Sequence, residues 1–374
     1  MALLNIGITG KNGFVGTHLF NTLGVLKEEF NIINFDRQWF EEEEKLDLFV
    51  SSCDVIVHLA ALNRHNDPEV IYHTNTALVL KLVAALDRTK ATPQVLISSS
   101  TQEENDTIYG KSKREGREAL AQWATLANAV YTGMVIPNVF GPFGHPNYNS
   151  VIATFCHKIS RGEEPVIQVD GSLKLIYVGD LVAEMLNCIR NKTNNGQYNV
   201  PHRVTIKVSD IRSKLLEFKE VYQDRGEIPV LESTFEYQLF NTYRCYMDIG
   251  TYFPRKYTQH TDPRGAFVEI IRLGIGGQVS FSTTVPGITR GNHFHTRKIE
   301  RFAVIKGKAL IQLRKIGTDE VLDFYLDGEE PAYVDMPIWY THNIKNVGDE
   351  MLYTNFWINE FYDPNDPDTY FENV

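Results

Sequence analysis

The hydrophobic periodicity of this chain changes once, near residue 250, and no other feature constrains its fold as much. From residue 1 to about 245, short apolar runs alternate with helical patterns. Leu4–Thr9, Ile32–Asp36, Val55–Ala60, Val95–Ser99 and Tyr131–Ile136 read as buried parallel strands, since near-continuous apolar runs suit strands covered on both faces. Amphipathic stretches such as Thr76–Arg88 and Lys113–Ala127 lie between them. This alternation predicts a Rossmann-type α/β fold, a doubly wound parallel sheet. After residue 250 helical patterns stop, and turn signals (DPRG, IGGQ, VPGITRGN, IKGK, LDGEEP) separate short strands. That texture predicts a small all-β unit of jelly-roll or barrel type. The expected division is therefore 1–250 and 251–374, with the polar stretch Thr251–Asp262 as the junction. At 374 residues the chain is long enough for two cores.

Charge and composition exclude several classes. The formal net charge of −10 argues against nucleic acid or an anionic membrane as the main partner. No run of apolar residues is long enough for a membrane span, and the opening MALLNIGITGKNG reads as a strand and turn, not a leader. Cys53, Cys156, Cys188 and Cys245 are scattered without a CxxC pair, as expected for reduced thiols in a cytoplasmic protein.

Gly10, Gly13 and Gly16 follow the first strand directly and open a helix. Glycine there lets the backbone turn tightly and approach a dinucleotide pyrophosphate at the helix N-terminus. The second strand ends at Asp36–Arg37, about twenty residues further on, where the ribose is read. Asp36 would accept from a 2′-hydroxyl, whereas Arg37 would clamp a 2′-phosphate; the arginine favours NADP(H).

Tyr109 and Lys113 form a YxxxK pair, and i, i+4 spacing puts both on one helix face. An ammonium lowers the pKa of a neighbouring phenol, so Tyr109 can give a proton to a carbonyl oxygen as hydride arrives. Ser100, at the end of ISSST, is placed to hydrogen-bond the same oxygen, with Ser99 and Thr101 as substitutes.

In the β-rich part, His293, His295, Glu300 and His342 form a second group. Two histidines one residue apart on a strand share a face. Imidazoles with one carboxylate suit Zn²⁺, Fe²⁺, Mn²⁺ or Ni²⁺.

TGKNGFVG, VHLAA, SSS, YGKSK and IPNVFGP together resemble the extended short-chain dehydrogenase/reductase family, whose members act on nucleotide sugars. The resemblance implies that Ser100, Tyr109 and Lys113 are catalytic. It places Gly10, Gly13, Phe14, Gly16, Asp36, Arg37, Ala60, Lys113 and Pro137 around the cofactor. Asn75 would support the lysine on the substrate side, with Asn138, Asn147, Asn149 and Ser150 as further substrate contacts. Thr101-Gln102-Glu103 stands where the sugar dehydratases carry Thr-Asp-Glu, which favours simple ketone reduction.

Gly287, His293, His295, Glu300 and Gly307 match the first cupin motif, and Pro337, His342 and Asn346 resemble the second. There Trp339 replaces the expected glycine, which puts the local turn in question. DPRGAFVEI (262–270) is similar to the opening of sugar-epimerising cupins, with Tyr333, Tyr340, His295 and Lys306 as acid–base candidates. PNYNSVIATF, VPGITRGNH, YTHNI and YDPNDPDTYF extend the resemblance to one family across the whole chain, the bifunctional capsular polysaccharide enzymes of CapF type. It implies that the cupin epimerises C3 of a UDP-linked 4-keto-6-deoxy-N-acetylhexosamine and that the reductase then reduces C4 with NADPH, on the route to UDP-N-acetyl-L-fucosamine. It further implies zinc as the metal and a homodimer or higher homo-oligomer. The alternative is a reductase whose cupin only binds metal for stability or assembly.

Overall fold

A computed structural model of the chain describes residues 3–263 and 265–374, so Met1, Ala2 and Arg264 of the DPRG turn lie outside the described residues. The chain forms two compact units, one of Met1–Thr154 and Val169–Val208, the other of Phe155–Gln168 and Ser209–Val374.

The first unit begins with β1 (Leu4–Thr9), α1 (Phe14–Val25), β2 (Phe30–Ile33), α2 (Glu43–Ser52) and β3 (Val55–His58). Then come α3 (Pro68–Thr89), β4 (Gln94–Ser100), α4 (Ile108–Ala127), β5 (Tyr131–Ile136) and β6 (Asn138–Phe140). After α5 (Val151–Ile159), which starts in this unit, follow β7 (Ser172–Tyr177), α6 (Val178–Arg190), β8 (Asn195–Asn199) and β9 (Val204–Lys207). Six strands in the order β2-β1-β3-β4-β5-β8 make one parallel sheet. Alternate residues feed two cores: Val55 and Val57 pack with Ile6, Leu19 and Met134, whereas Ile56 packs with Phe49, Leu82 and Trp123. Both faces are covered, which is why the strands read as unbroken apolar runs. The chain leaves β1 to one side for β2 and returns on its other side as β3. Ligands of such sheets bind beyond the strand ends at that reversal.

The third strand ends at His58, short of the expected Ala60, and the second departs most from expectation. The second ends at Ile33, not Asp36, because Asp36 turns out of the sheet and caps a 3₁₀ turn over Arg37–Glu41, accepting from the Gln38 amide at 2.9 Å.

The second unit holds α7 (Val208–Phe218), α8 (Thr234–Arg244) and α9 (Ile249–Tyr252), then the strand-rich part. Its strands are β10 (Arg255–Lys256), β11 (Gln259–Asp262), β12 (Gly265–Val268), β13 (Gln278–Thr284), β14 (Thr289–Phe294), β15 (Glu300–Lys306) and β16 (Lys308–Lys315). They continue as β17 (Val321–Asp327), β18 (Ala332–Met336), β19 (Tyr340–Asn346), β20 (Leu352–Ile358) and β21 (Tyr370–Phe371). Two antiparallel five-stranded sheets, β10-β18-β15-β20-β13 and β17-β16-β19-β14-β21, share a core of Val304, Ile311, Leu313, Val334 and Ile344. Sequence texture changes at 250, yet compactness groups 209–250 with this unit. A buried polar network is the physical reason. Arg301 and Asp335 pair at 2.6 and 2.9 Å, Tyr222 donates to Asp335 at 2.7 Å, and Arg244 donates to the Met336 carbonyl at 3.0 Å. Breaking one partner of such a buried pair costs about 3–5 kcal/mol, so helices and barrel form one body.

Candidate active sites

In the first unit the glycine turn is sterically required. Gly10 has φ +80°, and a Cβ there would sit 2.7 Å from the Ala60 amide nitrogen. A Cβ on Gly16 would sit 2.2 Å from the Gly10 carbonyl oxygen. Gly13 is the N-cap of α1 and supplies no side chain, and its own amide donates to Gly10 at 3.0 Å. Phe14 opens the helix with its ring edge-on to His18. The next loop of the crevice begins at Ala60, whose amide donates to Thr9 at 3.4 Å. Asp36 and Arg37 are both exposed, the carboxylate engaged in its cap and the guanidinium directed to no partner among the described residues.

The pleat of β4 separates its serines. Ser99 points into the core and donates to Glu103, whose carboxylate also receives Arg117 at 2.9, 3.0 and 3.1 Å. Ser100 points the other way, accepting from the Gln102 amide at 3.2 Å and capping the turn that leads to α4. Thr101 is exposed. Ser100 is therefore the serine on the crevice side, and Glu103 is held in a structural pair. No free acid stands where the dehydratases carry theirs.

Thr107 starts α4 by accepting from the Gly110 amide at 3.0 Å, a cap worth about 1 kcal/mol. It sets Tyr109 in the first turn and Lys113 one turn later. The expected lowering of the Tyr109 pKa is not what this structure gives. Burial pushes the phenol up to about 12, with Tyr148 nearby adding to the rise. Lys113, 8 % exposed, is brought down to about 8 by burial, against the pull of Glu103. Two shifts of this sign mean that desolvation outweighs mutual attraction here. The Tyr109 hydroxyl donates instead to Asn63 at 3.2 Å.

Asn75 is buried but does not bond Lys113. It clamps both backbone groups of Leu62, at 2.7 and 3.1 Å, and reaches the Ser112 hydroxyl at 3.1 Å. It thus ties α4 to the loop that carries Asn63 and Arg64. Arg64 in turn donates to the carbonyls of Asn147 and Tyr148 at 3.0 and 2.8 Å. Ser150 accepts from the Ala153 amide at 3.3 Å, and Asn149 is exposed. Pro137 is buried between β5 and β6, and the exposed Asn138 donates to Lys174 at 3.4 Å. Asn63, Arg64 and the Glu103–Arg117 pair were not singled out from sequence, because isolated polar residues in loops carry no periodicity.

In the second unit His293, His295, Glu300 and His342 converge, with ligand atoms all within 4.8 Å of one another. Pairing register does this: His293 faces His342 across β14–β19, beside a bulge between Gly291 and His293. His295 Nε2 lies 3.2 Å from Glu300 Oε2. His342 Nε2 lies 3.1 Å from the same oxygen, yet has no aligned hydrogen-bond partner among the described residues. The far nitrogens are spoken for: His295 Nδ1 meets the Asp368 carbonyl at 2.6 Å, and His342 Nδ1 meets that of Tyr340 at 3.2 Å. Donation there leaves the Nε2 lone pairs aimed inward, the arrangement of metal-binding imidazoles. The donor set fits a divalent cation.

Trp339 keeps the left-handed turn that glycine usually provides, at φ +62°. That costs about 1–2 kcal/mol. Its ring is buried and stacked on Phe294, which offsets the strain, and its amide donates to the His295 carbonyl at 2.8 Å. Of the acid–base candidates, Lys306 is exposed and pairs with Glu350 at 3.5 Å. Tyr333 lies in register with Ala303 on the sheet face opposite Glu300, with Arg301 3.7 Å from its ring centre. Both are set aside. His295 belongs to the metal group, and Tyr340 shares the strand face of His342. On that inner face the partly exposed Gln278 and Ser280 lie in the rows of Glu300 and Phe302.

Residues 6–201 match the NAD dependent epimerase/dehydratase family, and residues 260–370 match the polysaccharide biosynthesis C-terminal domain. The chain is 34 % identical over 371 residues to a UDP-2-acetamido-2,6-beta-L-arabino-hexul-4-ose reductase of Pseudomonas aeruginosa, covering 98 % of each. It is 38 % identical to the capsular polysaccharide assembling protein CapF of Staphylococcus aureus, covering 99 % of this chain and 100 % of that one with a TM-score of 0.63. A more distant structure, RMD of Pseudomonas aeruginosa complexed with NADPH, shares the fold at 21 % identity over 58 % of this chain and 82 % of its own, with a TM-score of 0.53.

Proposed function

The chain belongs to the NAD dependent epimerase/dehydratase family and, over its whole length, to the enzymes of CapF type; from that premise we propose a bifunctional nucleotide-sugar enzyme. Its first unit reduces the C4 ketone of a UDP-linked 6-deoxy-N-acetylhexosulose with NADPH, and its cupin epimerises C3 of that ketone beforehand. The observation that carries the reduction is Ser100 at the end of β4 and Tyr109 and Lys113 one turn apart at the start of α4, with Glu103 withdrawn into its pair with Arg117.

NADPH supplies the hydride. Gly10, Gly13 and Gly16 admit its pyrophosphate against α1, Phe14, Ala60 and Pro137 line its path, and Arg37 takes the 2′-phosphate that Asp36, committed to its cap, does not. As the carbonyl becomes an alkoxide, Tyr109 turns from Asn63 and gives its proton to that oxygen. Ser100 donates a second hydrogen bond, and the Lys113 ammonium stabilises the phenolate left behind. Asn75 holds α4 in place for this, and Asn138, Asn147, Asn149 and Ser150 serve the sugar nucleotide.

In the cupin, His293, His295, Glu300 and His342 hold zinc, whose chemistry there is Lewis-acid polarisation of an oxygen. Gln278 and Ser280 present polar groups to the sugar. A second reading is favoured by the donor count. Four protein donors are as many as a structural zinc site uses, whereas catalytic zinc sites use three and keep a position open. On that reading the cupin only holds metal and the reductase works alone. NADPH oxidation measured with a panel of UDP-4-keto sugars tests the main proposal. Turnover restricted to 6-deoxy-N-acetylhexosuloses supports it, and no turnover with any member sinks it.

A further inference from the structure

We infer that Asp368, near the C-terminus, is the positioning residue of the metal site, and that retention of the cation depends on it. The inference rests on the metal reading above. The loop between His295 and Glu300 turns through Thr296, Arg297 and Lys298, and its successive amides point at one place. The Asp368 carboxylate occupies it, accepting from Thr296 N at 3.1 Å, Thr296 Oγ1 at 2.6 Å, Arg297 N at 3.0 Å and Lys298 N at 3.0 Å. The residue is 2 % exposed and holds φ +41°, a left-handed conformation that aspartate tolerates better than most. Its carbonyl oxygen receives His295 Nδ1. One residue thus fixes the tautomer of one ligand and the length of chain joining that ligand to the next.

Its neighbours bind the other ligand strands. Phe371 pairs with His293 in β21–β14, and the Glu372 amide donates to Asn292 at 3.0 Å. Thr341, beside His342, donates its hydroxyl to the Glu372 carbonyl. Lys298 Nζ reaches the Pro367 carbonyl at 2.7 Å, and Arg297 reaches Asp366 at 2.9 Å. Residues 366–372 therefore touch the surroundings of His293, His295 and His342 together. Without the Asp368 carboxylate, the buried Lys298 amide and the half-buried amides of Thr296 and Arg297 would lose their acceptor and the loop would relax to regain one. His295 and Glu300 would then keep their identities and lose their spacing.

The test is zinc competition between the full chain and a chromophoric chelator, followed by the rate of transfer. Asp368→Asn is expected to speed zinc loss by about tenfold to a hundredfold, the usual effect of removing a group that orients a metal ligand. Thr296→Val, which deletes one hydroxyl and leaves the carboxylate, is expected to fall between that variant and the native chain. Circular dichroism and NADPH binding, which report the fold and the other unit, are expected to stay unchanged. Native transfer rates in folded Asp368→Asn would overturn the inference while leaving the metal site intact. A native chain that takes up no zinc would remove the metal reading itself. If Asp368→Asn fails to fold, Thr296→Val decides alone, and native behaviour in it is the overturning result.

Discussion

In the β-rich unit four ligand atoms lie within 4.8 Å, and the far nitrogens of two imidazoles are fixed by carbonyls. In the α/β unit Ser100, Tyr109 and Lys113 make no hydrogen bond to one another among the described residues: the phenol is bonded to Asn63, and the serine caps a turn. One centre is assembled by strand register, which the fold supplies whether or not anything is bound. The other is built from a helix face, a strand end and three loops, and burial raises its phenol and lowers its lysine, against the charge-separated pair the reaction needs. A protein can preorganise a cage for an ion through strand register and a carboxylate that braces the ligand loop. It leaves the last step of a proton relay to the reactants.

The largest effect expected is that of Tyr109→Phe, a fall of about a thousandfold in NADPH oxidation rate with cofactor binding retained. A small change would mean that the α/β centre works without its phenol. Next is His342→Ala. On the proposed reading of these four residues as zinc ligands, one of them carries on the order of a quarter of the ~12 kcal/mol of a structural zinc site, so zinc affinity should drop by about a hundredfold or more. Metal analysis after dialysis reads this directly, and full zinc content would break the contrast from the other side.

Glu103→Gln is expected to lower unfolding free energy by about 3 kcal/mol, read by denaturant titration, because Arg117 is left buried with half its partner. Arg37→Ala should raise the KM for NADPH by about tenfold and leave that for NADH unchanged, as the loss of one charge-assisted phosphate contact requires. The smallest effect is in pH dependence. Lys113 is protonated below its pKa of about 8 and neutral above it. The kcat/KM for NADPH should therefore decline as pH rises through that value, while Tyr109, raised to about 12, stays protonated and adds no second limb in that range. Lys113→Arg should move the decline to higher pH. An unchanged limb would assign it to another group.

Much of this contrast was legible before any coordinates. Apolar runs announced the parallel sheet because β1 and β3 are buried on both faces, and Leu4–Thr9 and Tyr131–Ile136 were bounded to the residue. HxH and Glu300 were legible because period-two alternation puts His293 and His295 on one face. What stayed hidden depends on partners remote in sequence. Asp36 left its strand for a cap of the following turn. Tyr333 has the chemistry of an acid but lies on the sheet face opposite Glu300, as only register reveals. Asp368 sits in a turn-rich acidic tail, where nothing in the pattern distinguishes it from Asp363 or Asp366. The direction of the Tyr109 shift is hidden too, because spacing shows the neighbouring lysine but not the burial that outweighs it.

On the proposed function the chain runs two separable chemistries, one in each unit. Tyr109→Phe incubated with a UDP-4-keto-6-deoxy-N-acetylhexosamine in D₂O tests it most directly, with C3 deuterium followed by mass spectrometry and NADPH by absorbance. Deuterium is expected to enter C3 at the native rate while NADPH oxidation is lost. Loss of both signals together, or a native chain that exchanges no deuterium, would contradict it.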